Sequence, residues 1–192
     1  MSQREDLLAG AKKCLIEKGY HRTTARDIAA ASGAHLASIG YHFGSKDALM
    51  NIAALEAQAE WGDMIEAVVR AAGDAGPSQR LRIGLDELVA ALPRQRELIV
   101  ASAQAYAQAQ FADDIRVPLT EAAEEGRVQL AAMVLGAAAA DVDAGTARGL
   151  GSVVHALIVG LAFQSLLDPG SLPTGEQILH ALHTLAHEEQ ND

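Results

Sequence analysis

Residues 23–43, TTARDIAAASGAHLASIGYHF, restrict the fold more than any other stretch. Two short helical patterns are broken by a single glycine, and neither is long enough to be stable by itself. Thr24 offers an N-cap oxygen ahead of ARDIAAAS, Asp27 stands in the first turn, and Gly33 ends the helix. A third segment runs from about 35 to 42. Such a pair must bury its apolar sides against another element, and the preceding residues supply one. Leu8, Ala11 and Leu15 share a helical face, Ser2 and Glu5 have capping-box spacing, and Gly19-Tyr20 marks a stop. Ala29 is small where two helices would cross, Gly33 accepts a left-handed backbone, and Ile39 is apolar where the second helix turns inward. These offsets of four and then six residues are those of a helix-turn-helix.

The remaining residues continue in the same idiom. Ser45 caps a start at Lys46-Asp47, and a long helix follows to about residue 72. Gly73-Asp74-Ala75-Gly76-Pro77 reads as a loop. Further helices are predicted at about 78–92, 94–110, 114–138, 144–167 and 174–189, with Pro93, Pro118, Asp168-Pro169-Gly170 and Pro173 as punctuation. Pro118 fits either a first turn or a kink. The chain is 49% hydrophobic but only 4% aromatic, and its heavy use of alanine favours close helix-on-helix packing over a sheet. The expected fold is all-α, with a three-helix head at 1–48 and a helical bundle at 49–192.

Charge is divided unevenly along the chain. The net charge is −10, yet residues 1–50 hold seven Lys or Arg against five acids, a net of +2 that leaves −12 for the rest. Salt screens charges beyond about 8 Å, so a cationic head can approach a phosphate backbone while the acidic body stays out of range. Cys14 stands alone among helix-core neighbours and reads as a small buried hydrophobe. MSQREDLL lacks the basic start and apolar run of an export leader, which sets the expectation of a cytoplasmic protein. Residues 149–167, GLGSVVHALIVGLAFQSLL, are uncharged and nearly long enough to span a bilayer, but His155 and Gln164 interrupt them and no aromatic anchors flank them. We expect a helix buried in a bundle or a subunit interface, and no membrane partner.

From about Glu5 to Met50, the amphipathic helix, Thr23-Thr24, the glycine-broken pair and the exit Tyr41-His42-Phe43-Gly44-Ser45-Lys46-Asp47-Ala48-Leu49 resemble the DNA-binding head of the TetR family of bacterial transcriptional regulators. The resemblance by motif covers the first quarter; beyond it, size and helix order are similar. It implies a homodimer on double-stranded DNA. The recognition helix would expose His35, Leu36, Ala37, Ser38, Gly40 and Tyr41, and Thr24, Tyr41, His42 and Lys46 would hold phosphates. Arg26 would either reach DNA or pair with a neighbouring acid. Two departures from the commoner pattern stand out: basic or hydroxyl residues are frequent where His35 and Leu36 stand, and an aromatic is frequent at Gly40. With no Arg, Asn or Gln on the reading face, specificity shifts to Ser38, His35, Tyr41, thymine methyls and DNA shape.

The resemblance also implies a small-molecule cavity in the body and a switch from DNA-bound to free. Candidate lining residues are Trp61, Met64, Gln104, Tyr106, Phe111, Met133, His155 and Phe163, a mostly apolar set suited to a hydrophobic or amphipathic effector. Segments 144–167 and 174–189 would form the dimer interface, with Gly145, Gly149, Gly151 and Gly160 permitting close approach. No catalytic residues, cofactor or metal are expected. His180, His183 and His187 share a face but lack a second cluster, and HEEQN at 187–191 carries Asn191 where a zinc-protease motif needs histidine. An interaction or architectural protein that has lost sequence-specific DNA reading is the alternative.

Overall fold

The computed structural model describes residues 2–71, 73–111 and 113–187, and among them there are helices and turns but no strands. The local signals act where they stand. The Ser2 hydroxyl accepts from the Glu5 backbone N–H at 3.3 Å while the Glu5 carboxylate accepts from the Ser2 N–H at 2.8 Å, opening α1 (Gln3–Lys18). Gly19 closes it at φ 83°. Thr24 and Asp27 form the same reciprocal cap at the start of α2 (Ala25–Ser32), and Gly33 ends that helix in the left-handed region at φ 69°, ψ 8°. The helix α3 (Ala37–Phe43) follows directly, and Ser45 accepts from the Ala48 N–H at 3.0 Å where α4 (Lys46–Arg70) begins.

Contacts divide the chain into two compact units. The first comprises 1–61 and 95–122. Leu7, Leu8, Ala11 and Leu15 of α1 bury against Ile28, Ile39, Leu49 and Met50, each large side chain contributing about 1.5–3 kcal/mol on burial. Leu98 and Ala101 of α6 (Arg96–Gln108) join this core, so the head is completed by a helix nearly fifty residues beyond it in sequence. The close crossing of α1 and α2 lies at Gly10: a Cβ there would stand 2.9 Å from the Ser32 Cβ and 3.1 Å from the Ile28 carbonyl oxygen. Ala29, expected to mark a crossing, is half-buried. Cys14 is buried, and burial pushes its thiol pKa up, in keeping with a structural thiol.

The second unit comprises 62–94 and 123–192. It holds α5 (Pro77–Ala91), which ends in a 3-10 turn containing Pro93, and most of α7 (Asp113–Leu135). Pro118 lies inside α7 rather than in its first turn. The helix stops three residues earlier than its alanine-rich end suggests, because Gly136 turns left-handed at φ 68° and the Arg80 guanidinium packs where its Cβ would be. Next come a single turn, α8 (Ala144–Thr146), a π-helical turn (Ala147–Gly151) and α9 (Ser152–Leu167). A Cβ on Gly151 would overlap the Arg127 carbonyl oxygen, so here only glycine lets the two backbones touch. Finally, α10 (Gly175–His187) packs against α5 and α9 against α5, and the Gly175 N–H donates to Asp86 at 2.8 Å. The stretch Ala144–Leu167 is long and apolar enough to cross a membrane, yet only 28% of its most apolar window is buried in this chain.

Candidate nucleic-acid interface

The site is built on α2 and α3. Ile39 is buried, Ser38, His42 and Phe43 are half-buried, and His35, Leu36, Ala37, Gly40 and Tyr41 are exposed. Tyr41 is 86% exposed, its ring edge-on to His42 at 4.9 Å. Phe43 instead packs against the core beneath the Arg4 guanidinium, which sits 5.1 Å from the ring centre. The helix therefore presents Leu36, Ala37, Gly40 and Tyr41 outward and anchors itself with Ile39 and Phe43. Ser38, expected on the reading face, stands at its flank.

The expected phosphate-holding residues differ in how free they are. The Thr24 hydroxyl is engaged by the cap, accepting from the Asp27 N–H at 3.2 Å and donating to the Asp27 carboxylate at 2.7 Å. Lys18 and Thr24 together hold the Asp27 carboxyl far below its ordinary pKa. Thr23 serves the fold, donating to the Gly19 carbonyl at 2.8 Å from a buried position. Lys46 lies 2.8 Å from Asp47, donates to the Thr23 carbonyl at 3.4 Å and sits 5.3 Å above the Tyr20 ring. Tyr20 in turn donates to Asn51 at 2.7 Å, and burial, then the charge of Asp47, pushes its pKa up to about 12. Arg26, by contrast, is exposed at the start of α2 and is without an ion pair among the described residues. Among the described head cations, Lys12, Lys18 and Arg22 are tied to Glu56 and Glu60, Asp27, and Glu97 respectively.

The eight candidate effector residues are distributed over both units. In the first, Trp61 packs against the core with its indole N–H buried and unpaired, and Gln104 has its side-chain oxygen in the same condition. Tyr106 is 38% and Phe111 92% exposed. In the second, Met133 reaches Gly84, His155 is half-buried beside Arg127, Phe163 is partly exposed and Met64 is 58% exposed. Phe111 and Met64 are thus surface side chains of this chain. An open groove in the second unit is lined by Asp63, Glu66, Ala67, Arg70 and Ala71, none of them among the eight. Among the described residues no group of three or more His, Cys, Asp or Glu is placed to hold a metal; the His187 side chain and residues 188–191 lie outside that description.

An α2 anchored by buried Ile28, a left-handed glycine and an α3 with one exposed face, both backed by α1, define a helix-turn-helix DNA-binding head. Residues 7–52 match the family described as bacterial regulatory proteins, tetR family. The head is thus similar in sequence to the DNA-binding domain of that family. The HTH-type transcriptional repressor AcnR of Corynebacterium glutamicum is 33% identical over 64 residues, 33% of this chain and 34% of AcnR, so the likeness spans about a third of that repressor. A TetR transcription regulator from Haloarcula marismortui superposes with a TM-score of 0.62 at 23% identity, over 97% of this chain and 95% of its own. The multidrug binding protein EbrR, solved with imidazole, gives 0.61 at 25% identity over 96% and 95%. At these identities the second unit shares a fold with its neighbours.

Proposed function

We propose that this protein is a DNA-binding transcriptional regulator, a ligand-responsive repressor that occupies a near-palindromic operator as a homodimer in the cytoplasm. The observation that carries the reading is the outward face of α3 on a head of family-matching sequence. Residues 1–48 act as the reader and 49–192 as the sensing and dimerising part. Thr24, Tyr41, His42 and Lys46 bind phosphates, and unpaired Arg26 adds to them. The dimer face is α9 with α10: Val153, Leu167 and Leu185 are exposed at 52%, 89% and 68%, and Gly149 and Gly160 have open space where a partner helix could approach. Two heads then meet half-sites about 34–36 Å apart.

The effector is hydrophobic or amphipathic, with Trp61, Gln104 and Tyr106 of the first unit as candidate contacts; EbrR, a multidrug binding protein of similar fold, was solved with imidazole. For a full reversal of occupancy the effector must favour the free state by about 5.5 kcal/mol. The test is selection of bound sequences from random duplex DNA by the full-length protein, paired with sedimentation analysis. An inverted repeat bound by two subunits supports the reading. Uniform salt-sensitive binding, or a monomer at all working concentrations, would refute it.

A further inference from the structure

We propose that base reading by this head is apolar: α3 recognises thymine C5-methyl groups in the major groove through Leu36 and Ala37, with Gly40 as the gap that lets the base edges come close. The inference rests on the DNA-binding reading above and specifies what that surface reads. Leu36 and Gly40, and Ala37 and Tyr41, are pairs four residues apart, so each pair shares one stripe of the helix surface. All four are exposed, and Leu36 keeps 47% of its surface in water. The stripe carries no charge. Its one hydrogen-bonding side chain is the Tyr41 phenol at the far end, beside His42.

What a base edge would meet there decides the chemistry. Guanine and adenine present N7 with O6 or N6 and need donors or acceptors opposite, whereas thymine adds a methyl group that an aliphatic side chain covers without leaving anything unpaired. Leu36 and Ala37 can serve only the second kind of contact. Gly40 has no atom within 4 Å of where a Cβ would be, so the surface between Leu36 and Tyr41 is a shallow notch rather than a ridge. Ser38, which could hydrogen-bond a base, is half-buried at the side, and exposed His35 lies ahead of the helix rather than on the stripe.

The experiment replaces each thymine of the selected site by deoxyuridine, which removes the methyl and nothing else, and measures affinity of the full-length protein at fixed salt. Each methyl in contact is expected to be worth about fourfold, so a symmetric pair of substitutions costs about fifteenfold. Returning the methyl as 5-methylcytosine opposite guanine, in a site otherwise carrying cytosine, should tighten binding at the same positions. In Leu36→Ala the deoxyuridine penalty should vanish at one position per half-site while Leu36→Met keeps it, and equal melting temperatures of the variants show that the head is intact. Deoxyuridine tolerated within twofold at every position would overturn the proposal and leave the regulator reading standing. A penalty unchanged in Leu36→Ala would overturn it as well. Failure to recover any preferred sequence would remove both.

Discussion

Two glycines of the head should answer the same substitution with opposite signs. Replacing a helical glycine by alanine gains up to about 1 kcal/mol of backbone preference when the methyl has room. Gly40 has that room, with nothing within 4 Å of a Cβ. At Gly10 the methyl would stand 2.9 Å from the Ser32 Cβ, 3.0 Å from the Ser32 nitrogen and 3.1 Å from the Ile28 carbonyl oxygen. Two of those three atoms are backbone and cannot rotate away. Ordinary carbon contacts lie near 3.5–4.0 Å, so α1 and α2 would have to part by about 0.5–1 Å. That separation loosens the contact of Leu7 and Ala11 with Ile28, all fully buried. Overpacking of this kind costs about 1–3 kcal/mol, and after the backbone gain Gly10→Ala should lose about 1–2 kcal/mol. At about 2–4 °C per kcal/mol for a chain of this size, its melting temperature falls by about 2–8 °C while that of Gly40→Ala rises by about 2–4 °C. Thermal unfolding followed by circular dichroism, at matched protein concentration because a dimer links stability to concentration, reads both values. Operator affinity should fall in both variants, in Gly10→Ala because α2 is displaced and in Gly40→Ala because the notch is filled. A melting temperature that rises in Gly10→Ala, or two shifts of the same sign, would refute the packing argument.

Three further outcomes are expected. Thr24→Ala, which removes the acceptor of the Asp27 N–H at 3.2 Å, should cost about 1 kcal/mol in thermal unfolding, with Thr24→Ser retaining most of it. Burial, then the nearby Arg127 charge, lowers the His155 pKa below 6.5, so the unfolded chain binds that proton more readily than the folded one. Stability contributed by this group is complete above pH 6.5 and declines as pH falls toward the folded value; His155→Gln should flatten that part of the melting-temperature profile between pH 8 and 5 and leave the alkaline side unchanged. Lys46→Ala should weaken binding to all sequences alike and reduce the slope of log affinity against log salt by about 0.9 per head, whereas Tyr41→Ala should alter the ranking of sites. Titrations at several salt concentrations against two unrelated duplexes separate the two patterns.

How much of this was legible in the sequence follows the range of each interaction. Caps and stops involve residues within four positions of one another, which is why Ser2 with Glu5, Thr24 with Asp27, and Gly33 stand where their spacing predicts. The bundle helices are recovered too, and the one clear overshoot has a local cause: the alanine run at 137–140 continues a helical pattern that Gly136 has already ended. Contacts between distant segments were not readable in this way. Nothing near Gly10 announces that Ser32 will press on it, because the crossing point depends on the angle at which two helices meet. Nothing in α6 announces that Leu98 and Ala101 complete the head, or that Glu97 will lie over Gly19 and pair with Arg22.

The recognition surface shows the same limit at closer range, and it bears directly on function. Sequence reasoning placed six residues on the reading face; the backbone turns Ser38 to the flank, leaves exposed His35 ahead of the helix, and presents an uncharged stripe of Leu36, Ala37, Gly40 and Tyr41. Phosphate attraction is also scarcer than the count of head cations suggests, since four of the seven, Lys12, Lys18, Arg22 and Lys46, have an acid beside them. A head in which acids offset four of its seven cations, and whose outward stripe is uncharged, is expected to gain little from any single DNA contact. In the proposed dimer, two copies held at groove spacing would multiply those contacts, so a change in their spacing would suffice to release the operator.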